Sequence, residues 1–338
     1  MVPSWGAVDR CCAEAQASPY LEAGQWVAIG SYRYFHSYHD FQGDEEFHGP
    51  LAALAKNDTY VDIFDFSAAY AFTKRFSVSL EIPWQYGSRT NKAEHDLVHV
   101  HTTRAFGMGD ARIAGNLWLL TPETHNDYNI SLSLGMKVPS GEDDATDYFY
   151  RIGQKKPVLR PVDLAIQPGD GGWGIIFSTS AFAKVYTRTY AFFQATYLSN
   201  PQEFSDTQTS FGDQPAFTLG DKGETYNSIP DQFLLRSGVG GALLPQYGIG
   251  SSFAVRWEGI PAHDFIGGSD GYRLPGYSVS VEPGISFSRG RHFFGVSAPI
   301  AIYRKGIASV PDLRTKSPFA GVSSFADFQI NITYSHVF

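Results

Sequence analysis

The last fourteen residues, Phe325–Phe338, read FADFQINITYSHVF. Phe328, Ile330, Ile332, Tyr334, His336 and Phe338 fall on every second position, and Asp327, Gln329, Asn331, Thr333 and Ser335 fall between them. A period of two is that of a β-strand, which sends successive side chains to opposite faces. One face of this strand must meet an apolar neighbour, while the other meets water or hydrogen-bonding groups. A soluble sheet satisfies that demand as well as a membrane barrel does, so the meaning of the segment depends on what precedes it.

Alternation of the same kind recurs along the chain. It predicts strands near 24–38, 58–72, 75–88, 109–120, 128–139, 173–186, 189–199, 232–244, 247–259, 276–288, 291–304 and 324–338. In the third, Phe76, Val78, Leu80, Ile82 and Trp84 alternate with Ser77, Ser79, Glu81, Pro83 and Gln85. The connections alternate as well. Tight links at 73–75, 121–127, 187–188, 245–246 and 289–290 follow the even strands. Long polar stretches near 39–57, 89–108, 140–172, 200–231, 260–275 and 305–323 follow the odd ones.

Roughly twelve strands, each at least as long as the roughly 10 residues that a tilted strand needs to cross a bilayer, predict an all-β fold. The expected architecture is a single antiparallel up-and-down transmembrane β-barrel over residues 24–338, with short periplasmic turns and long extracellular loops. A soluble sandwich or propeller has no reason to keep the parity of short and long connections, and no blade-length repeat is visible. An even strand number returns both termini to the short-turn side. There the closing strand resembles the terminal strand of Gram-negative outer-membrane barrels, which commonly ends in Phe. That implies the barrel assembly machinery as a partner, with outer-membrane lipid and lipopolysaccharide as surroundings. Trp26, Trp84, Trp118, Trp173 and Trp257 lie mostly toward strand ends, as interfacial aromatic girdles would.

Composition agrees. Aromatic residues are 15% and charged residues only 18% of the chain, a mixture of neither a helix-rich enzyme nor a disordered polymer. No stretch approaches the roughly 18 apolar residues of a transmembrane helix. A net charge of -8 argues against nucleic acid, whose phosphates need clustered Lys and Arg. Cys11 and Cys12 are adjacent in a leader, 1–23, read as flexible, and cannot staple distant parts of a fold. Residues 1–20 carry no charged segment followed by an apolar run, so the expectation is an outer-membrane protein whose export signal has been removed.

If the apolar faces meet lipid, the other faces line a lumen. The alternation then places Arg33, Arg112, Lys137, Lys184, Arg236 and Arg256 inside, together with Asp65, Glu81, Asp110, Glu258, Glu282 and Asp327. Arg256, Glu258 and Glu282 are expected neighbours in an ion-pair network. Acids and bases balance, which favours small neutral or weakly polar solutes over either ion sign. A barrel of about twelve strands lies between the filled eight-stranded class and the open sixteen-stranded porins, so its bore is narrow or sealed.

Other chemistry is sparse. Acids cluster at Asp40, Asp44, Glu45 and Glu46 and at Glu142, Asp143, Asp144 and Asp147, without the spacing of a calcium loop. In EHDLVHVHTT, His99 and His101 stand two residues apart with His95 near, which puts two imidazoles on one face of an extended segment. Such a pair chelates Zn²⁺ or Cu²⁺ only if a carboxylate or third imidazole converges, and His36, His39 and His48 are candidates for that partner. No nucleophile-elbow, zinc-protease or P-loop motif is present. No cofactor and no enzymatic activity are expected, although a wall-mounted Ser and His pair of the phospholipase type is an alternative, as is a sealed structural barrel.

Three glycine-rich segments remain: Gly107-Met108-Gly109-Asp110-Ala111-Arg112, Leu134 to Gly141 (LGMKVPSG), and Gln167 to Trp173 (QPGDGGW). In that order they resemble the proteobacterial outer-membrane barrels of the phenol meta-pathway (MetA-type) transporter group. The resemblance implies an outer-membrane channel or uptake role for small, often aromatic, molecules. It assigns no catalytic residue, and the roles of Asp110 and Lys137 stay open.

Overall fold

The computed structural model describes residues 20–49, 52–53 and 57–338, so Cys11 and Cys12 lie outside the described residues. Twelve wall strands form one sheet: β1 (Trp26–Ser37), β2 (Asp58–Ala71), β3 (Phe76–Asn91), β4 (His101–Met108 and Arg112–Trp118), β5 (Tyr128–Lys137), β6 (Gly174–Tyr186), β7 (Thr189–Ser199), β8 (Gln232–Leu244), β9 (Ile249–Ile260), β10 (Gly276–Arg289), β11 (His292–Ser297 and Ile300–Gly306) and β12 (Phe328–Val337). Every neighbouring pair is antiparallel, and β12 returns to β1 in register from Val27↔Val337 to His36↔Phe328. The Phe338 amide donates to Trp26 O, so the closing seam runs to the last residue. Closure removes both sheet edges, the only way a sheet satisfies its backbone in lipid.

The period of two sorts the side chains as a bilayer requires. Along β2, Phe64 and Phe66 are exposed on the outside while Asp65 and Ser67 are buried inside. Along β12, Ile330 and Tyr334 face out while Gln329, Thr333 and Ser335 are buried. Among the described residues no helix is long and apolar enough to cross a membrane.

One strand boundary and one aromatic side chain differ from expectation. The fourth strand, expected at 109–120, begins at His101, because His101–Met108 continues the pairing with β3 out to Asn91. This outer part of the hairpin carries Arg104 on its exposed face, so it lacks the apolar signature by which a lipid-facing strand is recognised. Trp118, expected in an aromatic girdle, instead faces the lumen. It packs edge-on to Tyr20 and Phe182, with ring centroids at 4.9 and 5.9 Å.

Candidate functional site

The wall is interrupted at one place that decides what lies inside. Glu81↔Arg112 and Trp84↔Met108 are paired, so Ile82 and Pro83 of β3 face three residues of β4, Gly109, Asp110 and Ala111. Pro83 has no N–H to give the ladder, and a β-bulge accommodates the extra residue. The bulge aims Asp110 inward. Its Oδ1 accepts from the Gly141 amide at 3.0 Å and its Oδ2 from the Asp170 amide at 3.1 Å.

Those two amides belong to the loop between β5 and β6, which turns back into the barrel. Gly109, Gly141 and Gly169 form a column too tight for side chains. A Cβ on Gly109 would stand 2.8 Å from Pro168 O, one on Gly141 2.7 Å from Gly109 C, and one on Gly169 2.9 Å from Gly141 C. The Glu142 amide donates to Met108 O and the Gly169 amide to Glu142 O, at 2.9 and 2.8 Å. Lys137, buried at the end of β5, is ion-paired to Asp170 and lies 3.9 Å from Asp110. The three glycine-rich segments of the sequence are thus one structure, a latch that holds the loop in the lumen.

Beyond the latch the loop fills the outer half of the bore. Val162 and Ile166 are fully buried with Ala145 against the inward-facing Val61, Ile63 and Ala105 of the wall. Gln167 is tied to the Ala145 amide and carbonyl and to Val162 O, and Gln85 of β3 donates to Gln167 O at 2.9 Å. Arg89 is held by Glu94 at 2.7 Å with Asp163 of the loop at 3.7 Å, and burial raises the Asp163 carboxyl above its ordinary pKa. The sequence reading put polar side chains inside throughout and so missed this apolar seat. Its signal is that Val61 and Ile63 stand in phase with Asp65.

Midway down the lumen the charged side chains form a belt. Arg112 pairs with Glu81 at 2.7 Å, Arg256 with Glu258 at 2.7 Å, and Arg236 with Glu282 at 3.0 Å. Gln329 donates to Glu258 at 2.8 Å and Arg236 to Gln194 at 3.2 Å. Asp65 is buried near this belt, and Arg33 keeps Nε and one terminal nitrogen buried without a hydrogen-bond partner. Two of the expected lumen charges stand at the rims. Lys184 is exposed at the short-turn end and reaches Asp127 at 2.9 Å, because the strand runs out of the bore before it. Asp327 sits at the long-loop end, bound to His39 at 2.7 Å and Arg304 at 3.1 Å.

Below the belt, residues of the expected leader pack into the short-turn mouth. Tyr20 donates to His125 O at 2.8 Å and accepts from Asn129 at 2.9 Å, and Leu21 packs on Val27, Ile29 and Ala69. Among the described residues, cavities of about 110 Å³ each lie at three places inside the wall. Two flank the inward loop, with Arg33, Ile63, Leu164 and Ile260 common to both, and the third lies at the short-turn end beside Leu21 and Trp118. An apolar cavity of about 150 Å³ holds one benzene. Each chamber is smaller than that.

The remaining candidates scatter. His36 pairs with Asp58 at 2.8 Å and His48 approaches Glu46 at 3.9 Å, so neither these nor His39 joins His99 and His101. The carboxylate that does converge on them is Asp96, which the sequence reading did not single out.

No protein-family model matches this chain, and neither does any curated protein. Solved structures do. An outer-membrane channel from Pseudomonas putida F1 aligns with 94% of this chain and 97% of its own at a TM-score of 0.59 and 10% identity. This is the outer-membrane β-barrel fold. The monoaromatic hydrocarbon channel CymD covers 94% of this chain and 89% of its own at a TM-score of 0.41 and 11% identity. The toluene transporter TbuX of Ralstonia pickettii covers 99% and 98% at 0.42 and 10%. At 10% identity the likeness to the Pseudomonas channel is one of fold.

Proposed function

We propose that this protein is an outer-membrane channel that admits small neutral or hydrophobic molecules, aromatic ones among them, when the latched loop moves. The observation that carries the reading is the loop itself. The outer lumen is filled by residues 162–170, a segment fastened by hydrogen bonds, the ion pairs of Asp170 with Lys137 and of Asp163 with Arg89, and a small apolar seat. Local opening of such a segment requires much less free energy than opening the wall, whose backbone is bonded on both sides. The chambers beside it mix Ile63, Leu164 and Ile260 with the guanidinium of Arg33, a lining suited to a molecule with an apolar body and one polar group. The fold of the Pseudomonas channel and the resemblance to the phenol meta-pathway group support the same reading.

In this reading the barrel sits in the outer membrane with its long loops toward lipopolysaccharide, and its C-terminal strand addresses the assembly machinery. A second reading, a sealed barrel, is favoured by the paired charges of the belt. Planar-bilayer recording with the purified protein, together with uptake of uncharged aromatic solutes into liposomes, separates the two. A channel gives solute uptake above protein-free liposomes and brief openings. Uptake equal to the protein-free control, both for the wild type and for a variant lacking residues 143–166, overturns the channel reading.

A further inference from the structure

The outer tip of the β3–β4 hairpin carries a constellation that the channel reading does not use. Asp96, His99 and His101 bring one carboxylate and two imidazoles together, with one donor atom from each lying within 4.8 Å of the others. Asp96 Oδ2 is 2.8 Å from His99 Nδ1 and 3.6 Å from His101 Nε2. In a tetrahedral Zn²⁺ site, metal–ligand distances of roughly 2.0–2.2 Å set neighbouring donor atoms about 3.3 Å apart. The two observed separations bracket that value.

The donors are also held in place. Asp96 Oδ1 accepts from the amides of Val98 and His99 at 2.9 and 2.8 Å, which leaves Oδ2 to face the imidazoles. His101 stacks on Tyr150 with centroids 4.1 Å apart and planes at 12°, and this fixes the ring. A further observation points to a ligand: His101 Nε2 is buried and makes no hydrogen bond. A buried polar nitrogen without a partner is costly, and a metal ion on it would remove that cost. His99 is exposed on its other side, so water can complete the shell.

We propose that Asp96, His99 and His101 form a binding site for a divalent transition-metal ion of the Zn²⁺ class on the extracellular face. The two-imidazole, one-carboxylate donor set suits Zn²⁺ or Co²⁺ over the oxygen-seeking Ca²⁺ and Mg²⁺. Because Tyr150 belongs to the same long loop that is latched in the lumen, an ion at His101 would brace the outer root of that loop.

The test is a Co²⁺ titration of the full-length barrel in detergent, followed by visible absorption, with Cys11→Ser and Cys12→Ser present so that thiolates do not compete. The expected result is saturation at a single equivalent and displacement by Zn²⁺. His99→Ala and Asp96→Asn should each weaken binding at least about ten-fold, the scale already set by losing a group one shell further out. His101→Phe, which keeps the stack on Tyr150 but offers no nitrogen, should do the same, and heat-dependent gel mobility shows that each variant remains a barrel. His48→Ala, remote from the cluster, should titrate as the parent does. Absence of saturable binding, equal binding by the His99 and His101 variants, or a loss in His48→Ala as large as theirs would overturn the proposal.

Discussion

Asp110 accepts a hydrogen bond from the backbone amide of Asp170, sixty residues away in the chain, at 3.1 Å. With the matching bond from Gly141 at 3.0 Å, one carboxylate in a wall bulge holds both limbs of an inward loop. Lys137 places its cation against the same group, so the latch is electrostatically closed within the lumen.

Asp110→Ala should free the loop and leave the wall intact. Loss of the two accepted bonds costs about 1–3 kcal/mol, enough to shift a local opening by one to two orders of magnitude and too little to unfold a closed barrel. Conductance in planar bilayers should rise in openings per unit time, while gel mobility without heating stays that of the folded form. Unchanged conductance in a folded Asp110→Ala barrel would show that the loop does not gate.

Gly109→Ala is expected to act on the same contact by a steric route. The added methyl would stand 2.8 Å from Pro168 O and 3.0 Å from Pro83 Cγ, neither of which is a yielding side-chain tip. Overpacking of this kind costs about 1–3 kcal/mol. Gly30→Ala, where nothing lies within 4 Å, is the matched control and should behave as wild type in limited proteolysis of the 140–172 loop.

Above the barrel, Arg273 and Asp264 form a fully buried bidentate pair at 2.7 and 2.6 Å. Arg273→Met strands the Asp264 carboxylate and should cost about 3–5 kcal/mol locally. Hydrogen exchange in 226–231 and 260–275 should accelerate. Asp264→Leu added to it should recover part of the loss, because the Asp231 amide still loses its acceptor.

Burial and the neighbouring Asp312 carboxylate push the Glu224 carboxyl up to about 7. An acid whose folded pKa lies above its unfolded value, near 4.3, stabilises through its protonated form. The burial of Glu224 beside Asp312 should therefore be most favourable below about pH 4.3 and become less so as pH rises through 7, the Thr315 hydroxyl that donates to it offsetting only part of the cost of ionisation. Proteolytic cutting of 215–225 should increase between pH 5 and 8 in the wild type. Glu224→Gln should remove the dependence, and a variant with the same pH profile as wild type would count against this assignment.

Much of the architecture was readable from alternation, because a wall strand meets lipid on one side and a polar lumen on the other at every residue. That constraint marks Phe328 to Phe338 as a strand and sets which of its side chains face in. It fails where either side changes solvent. His101–Met108 projects past the apolar band, and Arg104 hides it; Val61 and Ile63 face an apolar plug, and their phase reads as ordinary. The acids and bases of the belt could be listed from the sequence, and Arg256 and Glu258, two residues apart on one strand face, could be placed together; the pairing of Arg236 with Glu282 could not, since they lie on strands that are not neighbours.

The order of the strands, their orientation, the closure of β12 on β1 and the position of both ends of the wall on the short-turn side all follow from a repeating local pattern and the parity of the connections. The latch and the metal-like cluster do not. They depend on Gly109, Gly141 and Gly169, or Asp96 and His101, arriving within about 3–4 Å through backbone amides, missing methyl groups and ring nitrogens. Those features carry no hydropathy and no period, so only the folded chain brings them together.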